Sequence, residues 1–383
     1  MSLVAEAERI APELAAARAE GDALRRLPEA VWARLLEGGF LRSLQPKRWG
    51  GGELEFVEFL DAVMTLSAAN PSAGWVAGVI GVHPWQLALF DDRAQQDQWG
   101  EDPARMHSSS YNPTGRAERV DGGYKVWGRW SFSSGCDNCR GVNLGAIVPG
   151  SEIPEFRSFL LLPGQYRIED NWHVAGLKGT GSKDIVVDEV LVPEYRTQSH
   201  IDYAVGAPLP GQVHNDGPLY RLPWSVVFNM ALAASILGAA RGFVEAWVAE
   251  TRERVVAGSG RLADDPLTQR RLADALWDLD AATTVLRADA RSLWEMAQAR
   301  QTPTMDERAR LRWNTNRGCE RVAVACADLF RAASGRSVFL DHPLQSRFAD
   351  LQAGLGHAFL VPDPLAKAVG GHLLGTTKPE LVL

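Results

Sequence analysis

The chain has 383 residues, of which 46% are hydrophobic and 23% charged, the proportions of a soluble globular protein with a large core. Its 40 basic and 47 acidic residues give a formal net charge of −7, which argues against a dedicated nucleic-acid-binding protein and against a disordered chain. No run of about 18 apolar residues predicts a membrane-spanning helix, and the first residues lack a signal-peptide pattern. We therefore expect a cytoplasmic protein with no membrane partner.

Residues 1–102 carry the pattern of a helical domain. Apolar residues line one face of a helix over 29–36, which two glycines terminate. A second helix is expected from about Glu53. Pro71 opens a third helix that is apolar nearly all round, which predicts a buried position.

Residues 103–197 change to the alternating period of β-strands. The Asp-Gly-Gly sequence at 121–123 is a hairpin signal, and apolar residues occupy alternate positions over 124–132. Two more short strands are expected at 158–163 and 184–188. This spacing predicts a small central β-sandwich or barrel.

Residues 198–383 return to long helices. Asp265 is a candidate N-cap before Pro266, and Thr304 with Glu307 forms a capping-box signature. Two long amphipathic helices in tandem predict a bundle, and helices on both sides of the strands predict an α+β, mainly α fold. An apolar face that the bundle leaves uncovered would favour a homo-oligomer.

The stretch 200–223 is rich in proline, glycine and polar residues and is long for a loop. Long loops in compact folds are often functional lids. A lid over a substrate entrance and a disordered connector both remain open.

Cysteines and histidines give little support for a metal or redox site. Cys136 and Cys139 form a lone CxxC, whereas Cys319 and Cys326 are seven residues apart and do not supply a second close pair. The eight histidines contain neither an HxH nor an HxxxH spacing. We predict no metal.

Three clusters of hydroxyl and aromatic residues carry the candidate chemistry. They lie at 107–111, which includes Ser109 and Ser110; at 130–135, which includes Trp130, Phe132, Ser133 and Ser134; and at 176–182, which includes Thr180 and Ser182. The last cluster precedes a strand and so is not a dinucleotide fingerprint, although its N–H groups and hydroxyls suit a phosphate or a ring edge. Ordinary turns and strand ends explain the same residues.

His83 and His372 both lie among apolar residues. A histidine in such surroundings is usually a satisfied core group. It is also the side chain that moves a proton near neutral pH.

The order of the elements and these motifs together resemble the acyl-CoA dehydrogenase superfamily, and more closely its two-component flavin monooxygenases. These include the oxygenases that act on the phenolic secosteroid of bacterial cholesterol degradation and on 4-hydroxyphenylacetate. The segments 128–137, 176–182 and 334–345 are the most specific part of the resemblance. It implies an N-terminal helical domain (1–102), a central β domain (103–197) and a C-terminal four-helix bundle (198–383) whose tail completes the active site.

The resemblance also implies a reaction and its partners. An oxygenase component would take reduced flavin, FMNH2 or FADH2, from a separate NAD(P)H:flavin reductase and form a C4a-hydroperoxide with O2. That adduct would hydroxylate a small aromatic substrate. The cofactor contacts would come from Ser110, Trp130, Phe132, Ser133, Ser134, Thr180 and Ser182, with Ser134 or Ser133 near the flavin N5. Arg254 and Arg336 would reach the flavin phosphate of a neighbouring subunit in a homotetramer.

His372 is the predicted substrate base. Acyl-CoA dehydrogenases use a glutamate, but no glutamate occurs between Glu320 and Glu380 or between Glu194 and Glu245. An imidazole suits a phenol proton better than a carbon acid. By resemblance, His83 and Ser109 line the same cavity.

Three alternatives remain open. A monooxygenase of the same fold that oxidises nitrogen or sulfur needs no phenol base. An acyl-CoA dehydrogenase would use another base, and a non-catalytic helical scaffold would bind no flavin.

Overall fold

The computed structural model describes residues 2–150, 155–256 and 260–376. Helices come first, strands follow and helices return, in the predicted order. The helices before the sheet are α1 (Leu3–Ala16), α2 (Arg18–Leu24), α3 (Glu29–Glu37), α4 (Phe56–Ala69), α5 (Pro71–Gly81), α6 (His83–Leu87) and α7 (Asp92–Trp99).

The third predicted helix, which begins at Pro71, is divided in the structure into two helices, α5 and α6. α5 begins as expected, with Pro71 at its first position and the Asn70 side chain accepting from the N–H of Ala73. The helix ends at Gly81, and α6 starts afresh at His83. Pro84 has no N–H to continue the helical ladder. The break places His83 at the first position of a short, buried helix.

The central strands form one continuous mixed sheet in the order β5-β6-β2-β1-β3-β4-β7. They are β1 (Ser108–Val120), β2 (Gly123–Ser133), β3 (Val142–Val148), β4 (Glu155–Leu161), β5 (Arg167–Glu169), β6 (Lys183–Pro193) and β7 (Thr197–Ser199). β1 and β3 are parallel, and the other neighbouring pairs are antiparallel.

Three of the seven strands in this sheet, β2, β4 and β6, were predicted. β3, β5 and β7 were not predicted, and neither was β1. Its first four residues belong to the serine-rich cluster, which has no apolar alternation for a sequence pattern to detect. The strand forms because its backbone pairs with β3, from Ser108 opposite Val142 onwards. The cluster is therefore held in extended backbone at an inner position of the sheet.

The helices after the sheet are α8 (His200–Val205), α9 (Trp224–Glu253), α10 (Pro266–Gln298), α11 (Met305–Ala332), α12 (Pro343–Leu355) and α13 (Asp363–Leu373). A short antiparallel pair of strands, β8 (Val255–Val256) and β9 (Gly260–Arg261), follows α9. Both predicted caps are confirmed. Asp265 accepts from the N–H of Thr268 at 2.8 Å, and Thr304 with Glu307 forms a complete capping box.

α9 is the core helix of the molecule. Its length and composition alone would allow it to cross a membrane, but 94% of its most apolar 18-residue window is buried inside the protein. Small residues let its neighbours approach closely. A Cβ added at Gly238 would lie 2.3 Å from the carbonyl oxygen of Met64 on α4, and one at Gly78 on α5 would lie 2.7 Å from Ser235 Oγ.

Candidate active site

A chain of hydroxyl groups joins two clusters that lie far apart in the sequence. Ser134 Oγ, at the end of β2, lies 2.7 Å from Ser182 Oγ, which lies 2.7 Å from Thr180 Oγ1. We call these three residues the hydroxyl chain. At one end the indole N–H of Trp75 donates to Ser134 Oγ at 3.1 Å, and at the other end Thr180 donates to the carbonyl of Leu177 at 2.8 Å. All three hydroxyls are buried, so these bonds fix their orientations.

The end of β2 is bent so that one aromatic ring points outwards beside this chain. Phe132 has a positive φ of 69° and a side chain that is 64% exposed, and the register against β6 shifts between Trp130 and Ser133. The ring of Trp172 meets it edge-on, with centroids 6.1 Å apart. A non-glycine residue in this backbone region is strained, and such strain concentrates at functional sites.

These groups suit a flavin. An isoalloxazine ring needs apolar surface against its face and hydrogen-bonding groups at its nitrogen and oxygen atoms. The exposed ring of Phe132 offers the first, and the hydroxyl of Ser134 offers the second.

Other residues of the predicted cofactor set have local partners. Ser133 Oγ donates to Ser108 Oγ at 2.9 Å, and Ser110 Oγ donates to the carbonyl of Ser131 at 2.7 Å. Trp130 is fully buried in the core of the sheet, where its indole donates to the carbonyl of Gly145 at 2.7 Å. Its ring belongs to that core and is 0% exposed, so this subunit leaves no surface of Trp130 for the predicted cofactor contact.

His83 presents a bare acceptor inside the protein. Its Nδ1 lies 2.7 Å from the carbonyl oxygen of His107, so Nδ1 carries the proton and Nε2 carries the lone pair. Burial lowers the pKa of His83 to about 4, which keeps the ring neutral. Within the described part of the chain, Nε2 has no hydrogen-bond partner. A buried acceptor of this kind is ready for a ligand hydroxyl.

Ser109 is half-buried on β1, two residues after the carbonyl that binds His83. Its neighbour Tyr111 donates to Gln86 Oε1 on α6, and burial raises the pKa of Tyr111. The side chain of Asn143, opposite Ser109 on β3, has neither of its polar atoms paired in the described residues. β1 therefore brings further polar groups to the same region as His83.

His357 is a site residue that the sequence analysis missed. It follows α12, and its ring centroid lies 5.9 Å from that of Trp75, whose indole binds Ser134. The position is exposed, yet enough protein surrounds it for burial to lower the pKa of the imidazole to about 4. The imidazole therefore lies next to Trp75, and through it near the hydroxyl chain, at a position that is open to solvent. A lone histidine after a Gly-Leu-Gly turn has no periodicity or spacing that would reveal this.

An aromatic cluster connects the two histidines. The ring of His83 lies 5.9 Å from Phe228, which lies 4.6 Å from Trp224. Trp224 lies 5.6 Å from Phe359, and Phe359 lies 6.1 Å from His357. His83 and His357 are thus placed at two ends of one apolar assembly, although 274 positions separate them in the sequence.

The structure does not bring His372 into this assembly. His372 lies on α13 with a side chain that is 41% exposed, and its Nε2 is 3.1 Å from Asp306 Oδ2. Arg254 bonds the carbonyl of Ala332 at 3.4 Å, and Arg336 is exposed in the short helix Gly335–Val338. Neither arginine contacts the hydroxyl chain of the same subunit. The last part of the predicted tail, 377–383, lies outside the described residues.

The stretch 200–223 forms the wall of a cavity of about 330 Å³. It contains α8 and two short 3₁₀ helices, so it is an ordered segment. Tyr203 and Trp224 stack against each other with centroids 5.8 Å apart and both line the cavity. Trp224 also meets Tyr111 edge-on at 5.3 Å. Trp224 therefore belongs both to the lining of the cavity and to the aromatic cluster. Arg308 and Asp202 also line the cavity.

The CxxC lies against the loop over 176–182, where Cys136 Sγ donates to the carbonyl of Gly181 at 3.6 Å. Cys136 and Cys139 are free and buried, and burial raises the pKa of both thiols, to about 12 for Cys136. Across the residues that the structure describes, no group of three or more histidine, cysteine or acidic side chains could hold a metal ion.

The chain is similar to known proteins over nearly its whole length. Family models described as the N-terminal and C-terminal domains of acyl-CoA dehydrogenase match residues 3–107 and 230–362. The oxygenase subunit HsaA of a flavin-dependent monooxygenase from Mycobacterium tuberculosis is 36% identical over 380 residues, which cover 98% of this chain and 95% of that protein.

Two further proteins are similar to this chain over most of their length. The oxygenase component of an FADH2-dependent resorcinol hydroxylase from Rhizobium sp. is 35% identical over 365 residues, 92% of this chain and 88% of that protein. The crystal structure of 3-HSA hydroxylase from Rhodococcus sp. RHA1 superposes with a TM-score of 0.95 at 35% identity and covers 100% of this chain and 99% of that one.

Proposed function

We propose that the substrate is a phenol bound by His83 and His357. The chain belongs to the acyl-CoA dehydrogenase superfamily, and within it to the oxygenase components of flavin-dependent monooxygenases. The predicted fold and the flavin dependence are confirmed by these relatives. The protein is the oxygenase component of a two-component enzyme that hydroxylates an aromatic compound with reduced flavin and O2.

The flavin belongs beside the hydroxyl chain. When bound, reduced flavin supplies the electrons that activate O2, and the protein orients and shields it. Ser134 would hold a hydrogen bond at the flavin N5, while Ser182 and Thr180 keep its hydroxyl pointing in one direction. Phe132 would cover part of the ring and exclude water.

The single observation that carries the phenol assignment is the bare Nε2 of buried His83. A phenol O–H donates to such an acceptor, whereas a sulfide has no proton to offer. A phenol with a pKa of about 10 is mostly neutral at pH 7, so a base must take its proton to enrich the ring in electrons. Neutral imidazoles suit that step.

His357 is the better candidate for the base: the phenol O–H that donates to His83 Nε2 on binding would turn to His357, which takes its proton. Protonating fully buried His83 would create an uncompensated buried charge, which is costly. The position of His357 is exposed, so a proton that its ring takes can pass on to water. His372, the base predicted from the sequence, is the second candidate. For His372 to act, the tail of another subunit would have to supply it, or α13 would have to move within its own subunit.

A separate reductase supplies the reduced flavin, as the designation of the relatives as oxygenase subunits or components implies. We further propose a cytoplasmic homo-oligomer, a tetramer by resemblance. In support, Val338, Phe339 and Leu340 are consecutive, apolar and exposed, two residues after Arg336. A neighbouring subunit that covers this segment would bring Arg336 to its flavin phosphate.

Multiple-turnover assays with an NADH:flavin reductase test this function. Purified protein is supplied with FMN or FAD and with a panel of phenols, indoles, sulfides and amines. We expect ring-hydroxylated products from phenols, with less hydrogen peroxide than in substrate-free controls. Oxidation of sulfides or amines alone would refute the phenol assignment, and reduction of the oxidised flavin by acyl-CoA would refute the monooxygenase.

A further inference from the structure

A buried ion pair joins α2 to α12 next to the loop over 176–182. Arg18 Nη2 lies 2.6 Å from Asp350 Oδ2, and the side chain of Asp350 is only 4% exposed. The other carboxylate oxygen, Oδ1, accepts the backbone N–H of Leu177 at 2.6 Å. One side chain therefore ties together two helices and the loop that holds Thr180 and Ser182.

Leu177 is the residue at which the loop needs this support. Its φ of 53° is left-handed, a costly conformation for a residue with a branched side chain. Its N–H goes to Asp350, and its carbonyl accepts from both Thr180 Oγ1 and the Trp172 indole. Hydrogen bonds and the ion pair thus run without a break from Arg18 to the hydroxyl chain.

The same helix carries His357 to the site. α12 packs tightly on the loop, since a Cβ at Gly176 would lie 2.1 Å from the carbonyl oxygen of Ala349. Near the end of α12, a Cβ at Gly354 would lie 3.1 Å from the ring of Trp75. His357 follows three residues later. A shift of α12 relative to the loop would move His357 relative to Ser134.

We propose that Asp350, held by Arg18, is a positioning residue that fixes the loop over 176–182, and through it the hydroxyl of Ser134, relative to His357. This inference rests on the role of Ser134 proposed above. Without the carboxylate, the half-buried Arg18 would lose its ion-pair partner and the Leu177 N–H its acceptor. The hydroxyl chain would lose its fixed orientation, so flavin would be oxidised with more hydrogen peroxide and less product.

The charges around Asp350 make the ion pair between Asp350 and Arg18 depend on pH. Burial raises the pKa of Asp350 to about 6, while Arg18 and the Leu177 N–H oppose the rise and Asp22 on α2 adds to it. Arg347, on α12, faces the same group. The carboxylate is therefore charged above about pH 6 and becomes neutral as the pH falls through that value, which weakens the ion pair.

Hydrogen–deuterium exchange on the flavin-free protein tests the positioning directly. Asp350→Asn keeps the size of the side chain and removes its charge, and Asp350→Ala also removes the acceptor. We expect amides of the peptide over 176–182 to exchange roughly tenfold to a hundredfold faster in Asp350→Ala, and by a smaller factor in Asp350→Asn, since a lost charged hydrogen bond changes local opening by about that factor. Asp274→Asn, which removes an exposed carboxylate from α10, is the control and should change nothing there.

The second readout is the pH profile of coupling, the ratio of hydroxylated product to flavin oxidised. The wild type should lose coupling as the pH falls from 7 to 5, while Asp350→Asn should stay low and flat over that range. Exchange that is unchanged in both variants, or that rises equally along the whole chain, would overturn the proposal, and so would a wild-type pH profile in Asp350→Asn. A wild type that hydroxylates no phenol would instead refute the proposed function, because the exchange measurement needs neither flavin nor substrate.

Discussion

The pKa of His83 and that of His357 are both lowered because the surrounding protein displaces water that would stabilise an imidazolium. They differ in what surrounds the second nitrogen. His83 donates through Nδ1 to a backbone carbonyl and has no water-accessible surface of consequence. His357 accepts a backbone N–H from Phe359 at Nδ1, at 3.2 Å, which leaves Nε2 to carry the proton in the neutral ring. For Nε2 of His357 to take a proton from the substrate, the ring must adopt the other tautomer, with its proton on Nδ1, or the contact with the Phe359 N–H must change when substrate binds.

Replacing His357 distinguishes the two candidate bases. His357→Ala should lower the rate of hydroxylation by about 10² to 10⁴, the typical contribution of a general base, and raise the amount of hydrogen peroxide formed per reduced flavin consumed. His372→Ala is the matched comparison, with product and peroxide quantified in both. Full hydroxylation in His357→Ala together with loss in His372→Ala would reverse the assignment.

The pH dependence of the base follows from its lowered pKa. With a pKa of about 4, the imidazole of His357 is neutral above that value and is lost as a base only as the pH falls through it. The rate of hydroxylation in Asp350→Asn, whose loop no longer titrates, should therefore stay flat from pH 8 to about pH 5. A decline centred near pH 6.5, the ordinary value for histidine, would show that the base is a solvated imidazole.

Ser134 and Ser133 are adjacent, and the structure separates them. Ser134 belongs to the hydroxyl chain, whereas Ser133 bonds Ser108 on the neighbouring strand. Ser134→Ala should therefore increase the hydrogen peroxide formed per flavin oxidised several-fold, and Ser133→Ala should leave that ratio near the wild-type value. The same ratio in both variants would mean that Ser134 has no special contact with the flavin.

At the scale of elements, the site depends on close approach between helices. α5 and α6 carry Trp75 and His83, and both lie near α9, whose small residues allow neighbouring helices to pack at short range. Interiors are packed at crystal-like density, so an added methyl group at such a contact forces the backbone apart.

Gly238→Ala tests this packing. Its Cβ would lie 2.3 Å from Met64 O, so we expect a loss of about 1–3 kcal/mol in the free energy of unfolding. Gly370→Ala is the control, since its Cβ would meet nothing within 4 Å and alanine favours a helix such as α13. Urea denaturation of both variants gives the comparison. Equal stabilities would show that α9 adjusts without cost.

At the scale of the whole molecule, one described subunit leaves part of the predicted site uncovered. Arg336 contacts none of the hydroxyl chain, and the apolar segment 338–340 beside it is exposed. Exposed apolar patches of this kind mark protein–protein contacts.

Charge placed in that segment should break the homo-oligomer. Phe339→Asp is expected to reduce the mass measured by light scattering and to weaken the affinity for reduced flavin. Val213→Asp, at an exposed valine outside the segment, should change neither the mass nor the affinity for reduced flavin. An unchanged mass in Phe339→Asp would place the subunit interface elsewhere, and a fully active monomer would exclude a flavin contact between subunits.

The sequence by itself determined what neighbouring residues decide. The caps at Asp265 and Thr304 and the alternation over 124–132 depend on hydrogen bonds and side-chain directions within a few positions, so their patterns are visible in a single chain. The resemblance carried by 128–137 and 176–182 likewise identified the fold and the flavin chemistry.

Only the tertiary structure decided which of these residues meet. Ser134 and Ser182 bond each other across 48 positions and Leu177 bonds Asp350 across 173, while Trp130, within the same cluster as Ser134, turns into the core of the sheet. His357 reaches the site because α12 packs on Trp75 and the loop before β6. Contacts of this range follow from how helices and strands pack, and packing depends on the summed burial of many side chains, which leaves no local pattern in the sequence.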